Sequence, residues 1–500
     1  MSSSRPQHPH WVLTATILTS GLGFFMGSAV NVALPTIQRF WDLDISVVQW
    51  IANGYALTLS SFILLSGSLG DLFGVRRLFN TGILIFTGGA ALCAVAPTPA
   101  LLISFRAVQG LGAAIMVPGS LAIINRLFPE SERGRVIGLW AGISGAIAAL
   151  GPFFGGVLVE LSWRLLFWFA VPLGVAASVI TSRYLPALKE GGNRRVDWGG
   201  AAAVLLALGG FSYGLVRIPE VGLNPYTLTG LALGLSAALS FVPLERRATN
   251  PIVPFSMLGR TVAVANIVTI LIYFSFQGTF FLLSFVFQQL LGYSASFTGV
   301  AFLPATVMIA LFAAPSGTLT DRWGPRRQLI LGPSVLAIAL LLMILGAETT
   351  PFLTYWLPVV VLFGAGMVLI VPAVTKAALL VDERHAGAAS GLNNAAARTA
   401  GLLAITVLGA VINGRYQAAL PGLLPAALPE EAAATIIDEA GRLLSAPLPE
   451  TVPEALRESV IEARRAAFAR ASRAALGVTG SAAVASAALN FALFPKISGR

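Results

Sequence analysis

Runs of about twenty apolar residues recur along this chain almost from end to end, and that recurrence limits its folding more than any other feature. A bilayer core of about 30 Å needs roughly 20 apolar residues in a helix, because lipid cannot hydrogen-bond an exposed backbone. On that rule the sequence predicts fourteen spans, near 11–34, 48–70, 78–96, 99–125, 136–160, 164–185, 198–217, 226–244, 262–290, 297–315, 328–346, 353–380, 386–412 and 475–494. Composition agrees: 56% of the 500 residues are hydrophobic, only 11% are charged, and mean hydropathy is +0.81, which argues against a soluble globular domain. The opening "MSSSRPQHPH" precedes a run too long for a signal-peptide core and without a small-residue cleavage site, so the first span is expected to stay as an anchor.

A net charge of +10 raises the question of a nucleic-acid partner, and the placement of the charges answers it. Twenty Lys and Arg residues, Arg76, Arg77, Arg133 and Arg135 among them, fall on the side shared with the N-terminus, whereas the opposite short loops hold three, Arg39, Arg164 and Arg217. That bias predicts a multi-pass protein with both termini cytoplasmic, and the basicity is then a topology signal with no nucleic-acid partner implied. One cysteine, Cys93, and three histidines outside the apolar runs provide neither a disulfide framework nor a metal site, so no metal or cofactor is expected.

One outer segment, about 413–473, breaks the short-loop pattern. It reads as two helices, "LPEEAAATIIDEAGRLL" with Pro429 in the first turn, and "TVPEALRESVIEARRAAFARASR" with Thr451 and Glu454 spaced as a capping box. A solvated hairpin and a substrate-guiding lid are both compatible with it.

The chain repeats itself. "GSLGDLFGVRRL" from Gly67 and "GTLTDRWGPRRQL" from Gly317 place Asp71 and Asp321, Gly74 and Gly324, Arg76 and Arg326, and Arg77 and Arg327 in corresponding short loops after spans 2 and 10. The Asp residues lie 321 − 71 = 250 positions apart. Spans 1–6 and 9–14 then form two equivalent halves with spans 7 and 8 inserted, giving an N-terminal half at 1–190, an inserted unit at 191–255 and a C-terminal half at 256–500. Charges in such loops can pair in one state and separate in another, so Gly67, Asp71, Gly74, Arg76, Arg77, Asp321, Gly324, Arg326 and Arg327 are expected to form a cytoplasmic gate, with Arg133 or Arg135 as partner of Asp71.

With these motifs in view, the chain resembles a major facilitator superfamily transporter of the fourteen-helix drug:proton antiporter branch. The loop signature is joined by "RAVQGLG", containing Arg106, Gln109, Gly110 and Gly112, and by "GPFFGG", containing Gly151, Pro152, Gly155 and Gly156. The resemblance implies an all-α membrane fold of two six-helix halves plus two helices, no enzymatic activity, and efflux of drug-like or metabolite molecules by alternating access with proton exchange. It links Arg106 to proton coupling and the Gly-Pro segment to antiport. It also implies residence in the inner cell membrane.

Physical chemistry stands beside each assignment. A guanidinium within a span is a functional candidate by default. Gly151, Pro152, Gly155 and Gly156 break helix regularity and admit a neighbouring helix closely. Amide and aromatic groups suit bulky apolar ligands with few polar atoms, which nominates Asn31, Asn53, Tyr55, Asn266, Gln277, Phe281 and Asn393 as cavity residues. Arg398 is a further cation inside a span.

One departure limits the antiporter reading. The branch's first helix usually reads L-D-x-T-x-V-N-V-A-L-P, and aligning Asn31 and Pro35 puts Met26 where the Asp belongs. Asn31 cannot titrate and lies about 140° around the helix from position 26. None of the 22 acids is deep in a span, Glu160 at an outer helix end being the nearest candidate for coupling. Three mechanisms stay open: a proton carried by Glu160 or a loop acid, an anionic substrate meeting Arg106, or a facilitator without proton exchange. The expected partners are a small-molecule substrate, protons if coupling operates, and the lipid bilayer, with the chain acting as a monomer. A membrane enzyme lacks paired acids or a nucleophile with its base, and a sensor lacks a soluble signalling domain.

Overall fold

The computed structural model describes residues 8–186, 196–249, 251, 253, 257–346, 350–380 and 386–494, and the side chains of 67, 68, 71 and 386–388 are outside that description. Among the described residues the chain is helical, without strands. The N-terminal half comprises α1 (Pro9–Trp41), α2 (Ile45–Phe62), α3 (Leu65–Phe73), α4 (Val75–Ala94), α5 (Pro99–Leu127), α6 (Glu130–Leu161) and α7 (Trp163–Tyr184). The inserted pair is α8 (Trp198–Val221) and α9 (Pro225–Arg247). The C-terminal half comprises α10 (Arg260–Phe285), α11 (Ala295–Trp323), α12 (Pro325–Leu345), α13 (Leu357–Ala378), α14 (Ala386–Ala419), the short α15 (Glu430–Asp438) and α16 (Arg457–Leu493).

Thirteen helices among the described residues are long and apolar enough to cross a bilayer. The remaining predicted span, near 48–70, is divided between α2 and α3 by a turn at Ile63–Leu64. Its lower apolarity has a physical reason: α2 is buried against α5, α14 and α8, and its polar residues Gln49 and Asn53 face protein rather than lipid.

The repeat is visible in three dimensions. Gly74 (φ 82°) and Gly324 (φ 73°) end α3 and α11 and start α4 and α12, both in a positive-φ conformation that favours glycine. The next-but-one residues then do the same work. Arg76 Nη2 donates to the carbonyl of Ser182 near the end of α7, and Arg326 Nη2 donates to that of Phe491 near the end of α16 at 2.7 Å. Each arginine thus caps the last carbonyls of the sixth spanning helix of its own half, where a cation also meets the favourable end of the helix dipole.

The C-terminal elements differ from expectation. The second loop helix and the last span are one continuous helix, α16, of 37 residues. The capping box at Thr451 and Glu454 does not form: a 3-10 turn occupies Glu454–Leu456 and α16 begins at Arg457 without a side-chain cap. The segment read as a single helix to Leu444 stops at Asp438, with Pro429 as its N-cap, and gives way to a 3-10 turn, Glu439–Ser445. Buried Arg464 accounts for part of this, since its guanidinium donates to the carbonyls of Leu443 and Ala446, both at 2.8 Å, and pulls that turn onto α16. We call the face carrying this strap the loop face, and the face carrying the start of α1 and the end of α16 the terminal face.

Candidate transport cavity

A cavity lies between the halves. Gly27, Val30 and Asn31 of α1, Ala52, Tyr55, Ala56 and Leu59 of α2, and Arg106 of α5 form one wall. Gln277 of α10 and Arg398, Gly401, Leu402 and Ile405 of α14 form the other.

Arg106 is buried and is held by neutral groups. Its Nη1 donates to Gln109 Oε1 at 2.6 Å, its Nε donates to the Ile51 carbonyl at 3.3 Å, and its guanidinium lies 4.3 Å from the centre of the Tyr55 ring. Tyr55 in turn donates its hydroxyl to the Gly23 carbonyl at 3.0 Å, fixing the ring under the cation. Close approach of α5 makes this possible: a Cβ on Gly110 would stand 2.3 Å from the Tyr55 carbonyl oxygen, and one on Gly112 would stand 2.4 Å from the Phe86 nitrogen. On the opposite wall Arg398 lies 4.9 Å from the centre of the Phe24 ring, a cation–π contact joining α14 to α1. Neither arginine has a carboxylate partner among the described residues. An arginine inside a membrane span costs about 3 kcal/mol or more, so two of them in the lining of one cavity are not casual filling.

Among the described residues, hydrogen bonds join the halves on the loop-face side of the cavity. Gln49 Nε2 donates to the carbonyls of Ile405 (2.8 Å) and Thr406 (3.0 Å), and Asn53 Nδ2 donates to Thr406 Oγ1 at 2.9 Å. Gln288 Nε2 donates to the Val32 carbonyl and Gln289 Nε2 to Gln38 Oε1, each at 2.8 Å. Above them the strap closes: Arg442 pairs with Asp42 at 2.7 Å, and Gln38 Nε2 donates to the Arg442 carbonyl at 3.2 Å. Leu443, fully buried in the strap, holds φ 55° and ψ −130°, a conformation disfavoured for leucine that its Arg464 and Tyr416 hydrogen bonds stabilise.

The Gly-Pro segment of α6 belongs to this closure. Cβ atoms built on Gly151, Gly155 and Gly156 would stand 2.1 Å from Ser28 Oγ, 2.9 Å from Ala29 Cβ and 2.3 Å from the Ala295 carbonyl oxygen. Gly299 of α11 packs equally closely on the Pro152 carbonyl, so α1, α6 and α11 meet along this run and Gly156 is at the joint between halves.

Other nominated residues divide. Asn31, Tyr55, Gln277 and Arg106 line the cavity. Asn53 is consumed in the closure, Asn266 donates to its own helix at the Val262 carbonyl, Phe281 is packed against Phe285, and Asn393 donates to Thr269. None of these four lines the cavity. Gln109 is buried behind Arg106 and orients it. Glu160 is exposed on the loop face, where its carboxylate accepts from the Ser296 hydroxyl (2.6 Å) and amide (3.1 Å), away from the cavity lining. Met26 is fully buried and also outside the lining, one turn along α1 from Gly23.

On the terminal face Asp321 pairs with Lys376 at 2.6 Å, joining α11 to α13 within one half. Arg133 Nη2 donates to the Phe128 carbonyl just before its helix at 3.4 Å, and Arg135 is exposed on the same helix. The side chains of Gly67 and Asp71 lie outside the described residues. Sequence reasoning missed two features: Arg398 as the cavity companion of Arg106, although its place in an apolar run was a signal, and the Asp42–Arg442 clamp, for which the sequence carries none.

A duplicated pair of six-helix halves, joined by hydrogen bonds above a central cavity that both line, has the form of a membrane carrier. The chain belongs to the Major Facilitator Superfamily, whose family model matches residues 16–405. It is 33% identical over 416 residues to the multidrug resistance protein Stp of Mycobacterium tuberculosis, covering 81% of this chain and 77% of that one. It is 34% identical over 424 residues to the puromycin resistance protein pur8 of Streptomyces alboniger, covering 82% and 83%. Among solved structures, a bacterial homolog of the human lysosomal transporter Spinster superposes with TM-score 0.65 at 17% identity over 98% of both chains, a likeness of fold.

Proposed function

We propose that this protein exports amphipathic organic molecules through the central cavity by alternating access, from a cytoplasmic terminal face to the outside, as a monomer in the cell membrane. The observation that carries this reading is the cavity itself: both halves contribute to it, and among the described residues hydrogen bonds join the halves on its loop-face side. Relatives named for multidrug and puromycin resistance support export as the direction. The positive-inside bias supports the orientation.

In the cycle, substrate enters from the terminal face, the halves rock, and the seal made by Gln49, Asn53, Gln288 and Gln289 separates while the Asp42–Arg442 clamp releases. The terminal-face charges, Asp321 with Lys376 and the Asp71 loop, then close the inner side. Proton exchange demands a titrating group that both faces reach in turn. The described lining holds no carboxylate or histidine, which favours export without proton exchange over the antiport that the resemblance implies. No residue of the cavity is arranged for covalent chemistry, so catalysis is not part of the proposal.

Expression in a bacterium stripped of its own efflux pumps tests the reading. Cells carrying the protein should hold less of at least one amphipathic antibiotic than cells carrying Gly156→Trp, which jams the joint between halves. Equal accumulation across a broad panel, with both proteins folded in the membrane, would contradict it.

A further inference from the structure

We propose that the cavity receives the anionic end of an amphipathic organic molecule, and that the membrane potential acting on this negative charge drives its export. This rests on the export reading above and specifies its substrate class. Two arginines line the same space, Arg106 from the N-terminal half and Arg398 from the C-terminal half. Guanidinium stays protonated throughout the physiological range. Their contacts are to a carboxamide oxygen, a backbone carbonyl and aromatic faces, all neutral. No acid appears in the described lining, so that lining brings two cations without a protein anion.

An anionic ligand supplies the missing charge to both walls at once. A cationic ligand meets the reverse: two like charges in a poorly screened space. Leu59, Leu402, Ile405 and Val30 offer apolar surface beside the arginines, and Asn31 and Gln277 offer amides, so the ligand has a charged end and an apolar body. Because one arginine comes from each half, a bound anion bridges the two bodies that move against each other.

Energetics follow from the same charges. A single negative charge leaving a cell that is 100 mV negative inside reaches a concentration ratio of about 50-fold at equilibrium, with no second ion moved. Loss of an acid at the Met26 position is then consistent with function: the driving force is carried by the substrate.

The test uses the full chain in phosphatidylcholine vesicles with three probes: the sulfonate dye 8-anilinonaphthalene-1-sulfonate, the cationic dye ethidium, and neutral Nile red. The expected result is saturable movement of the sulfonate, accelerated by a potassium–valinomycin potential negative on its side and unaffected by a pH gradient. Arg398→Gln should weaken its binding at least tenfold and Arg398→Lys should restore most of it, with both variants eluting as folded protein. Wild-type selectivity among the probes needs no variant and gives an independent reading. Transport of ethidium or Nile red but not the sulfonate would overturn this inference and leave the export reading standing. Sulfonate movement that requires a pH gradient would overturn the driving-force part. Failure to move any of the three would count against both.

Discussion

Arg106 Nη1 donates to Gln109 Oε1 at 2.6 Å, so the most buried cation of the cavity is held by an amide three residues along its own helix and not by an acid. That choice of acceptor leaves the positive charge uncancelled and available to a ligand. Gln109→Glu reverses it with almost no change of shape. The variant should bind the sulfonate dye about tenfold or more weakly, as expected when a buried charge partner is already satisfied, while Gln109→Ala should lose orientation but keep the preference for anions. Equilibrium binding of the dye to the purified variants checks both.

Met26 has the opposite role. It is fully buried one turn from Gly23, whose carbonyl takes the Tyr55 hydroxyl, and Tyr55 lies over Arg106. Met26→Asp therefore introduces an acid into the neighbourhood of that cation. Movement of ethidium should appear and should respond to a pH gradient, whereas sulfonate movement should fall. Vesicle transport with imposed gradients measures both changes, and an unaltered substrate preference would contradict the role given to this position.

Gly156 tests the closure. A Cβ there would stand 2.3 Å from the Ala295 carbonyl oxygen, across the joint between halves, whereas one on Gly134 of the same helix would meet open space. Gly156→Ala should destabilise the closed arrangement by roughly 1–3 kcal/mol, the usual cost of overpacking, and Gly134→Ala should fall within about 0.5 kcal/mol of the parent. Thermal unfolding in detergent distinguishes them. Reaction of a cysteine placed at Gln49 with an impermeant thiol reagent should rise only in the Gly156 variant.

The Asp42–Arg442 pair is half exposed, so its deletion should cost less than about 1 kcal/mol of global stability. Its effect should instead be on the strap. In Arg442→Ala, native-state hydrogen exchange at Leu443 and Ser445 should speed up, with exchange in α1 unchanged. The same argument applies to Asp321→Asn on the terminal face, where turnover should change several-fold while the melting temperature barely moves.

Lipid made most of the helices legible in the sequence, because a bilayer demands long apolar runs wherever the backbone is unprotected. The same rule divided α16 wrongly. Its first turns are polar on the outside, so they read as solvated loop, although Arg464 within them is buried against Leu443 and Ala446. Leu443 has a positive φ that no glycine announces, so the strap's turn was invisible. At the cavity, the chemical types were legible and their placement was not. Asn53 and Asn393 read as ligand-facing amides and donate to Thr406 and Thr269, whereas Arg398, one cation in an apolar run, lines the same space as Arg106. Amide side chains serve packing and binding equally well; only the partner across the bundle decides which.

The most direct measurement is the charge moved per transported molecule. Vesicles bearing the protein, adsorbed to a solid-supported electrode and given 8-anilinonaphthalene-1-sulfonate, should show a transient carrying negative charge in the direction of the dye. It should have the same size with and without a pH gradient and should be lost in Arg398→Gln. An electroneutral response to the sulfonate, or a positive transient with ethidium in its place, would contradict an anion-carrying cavity.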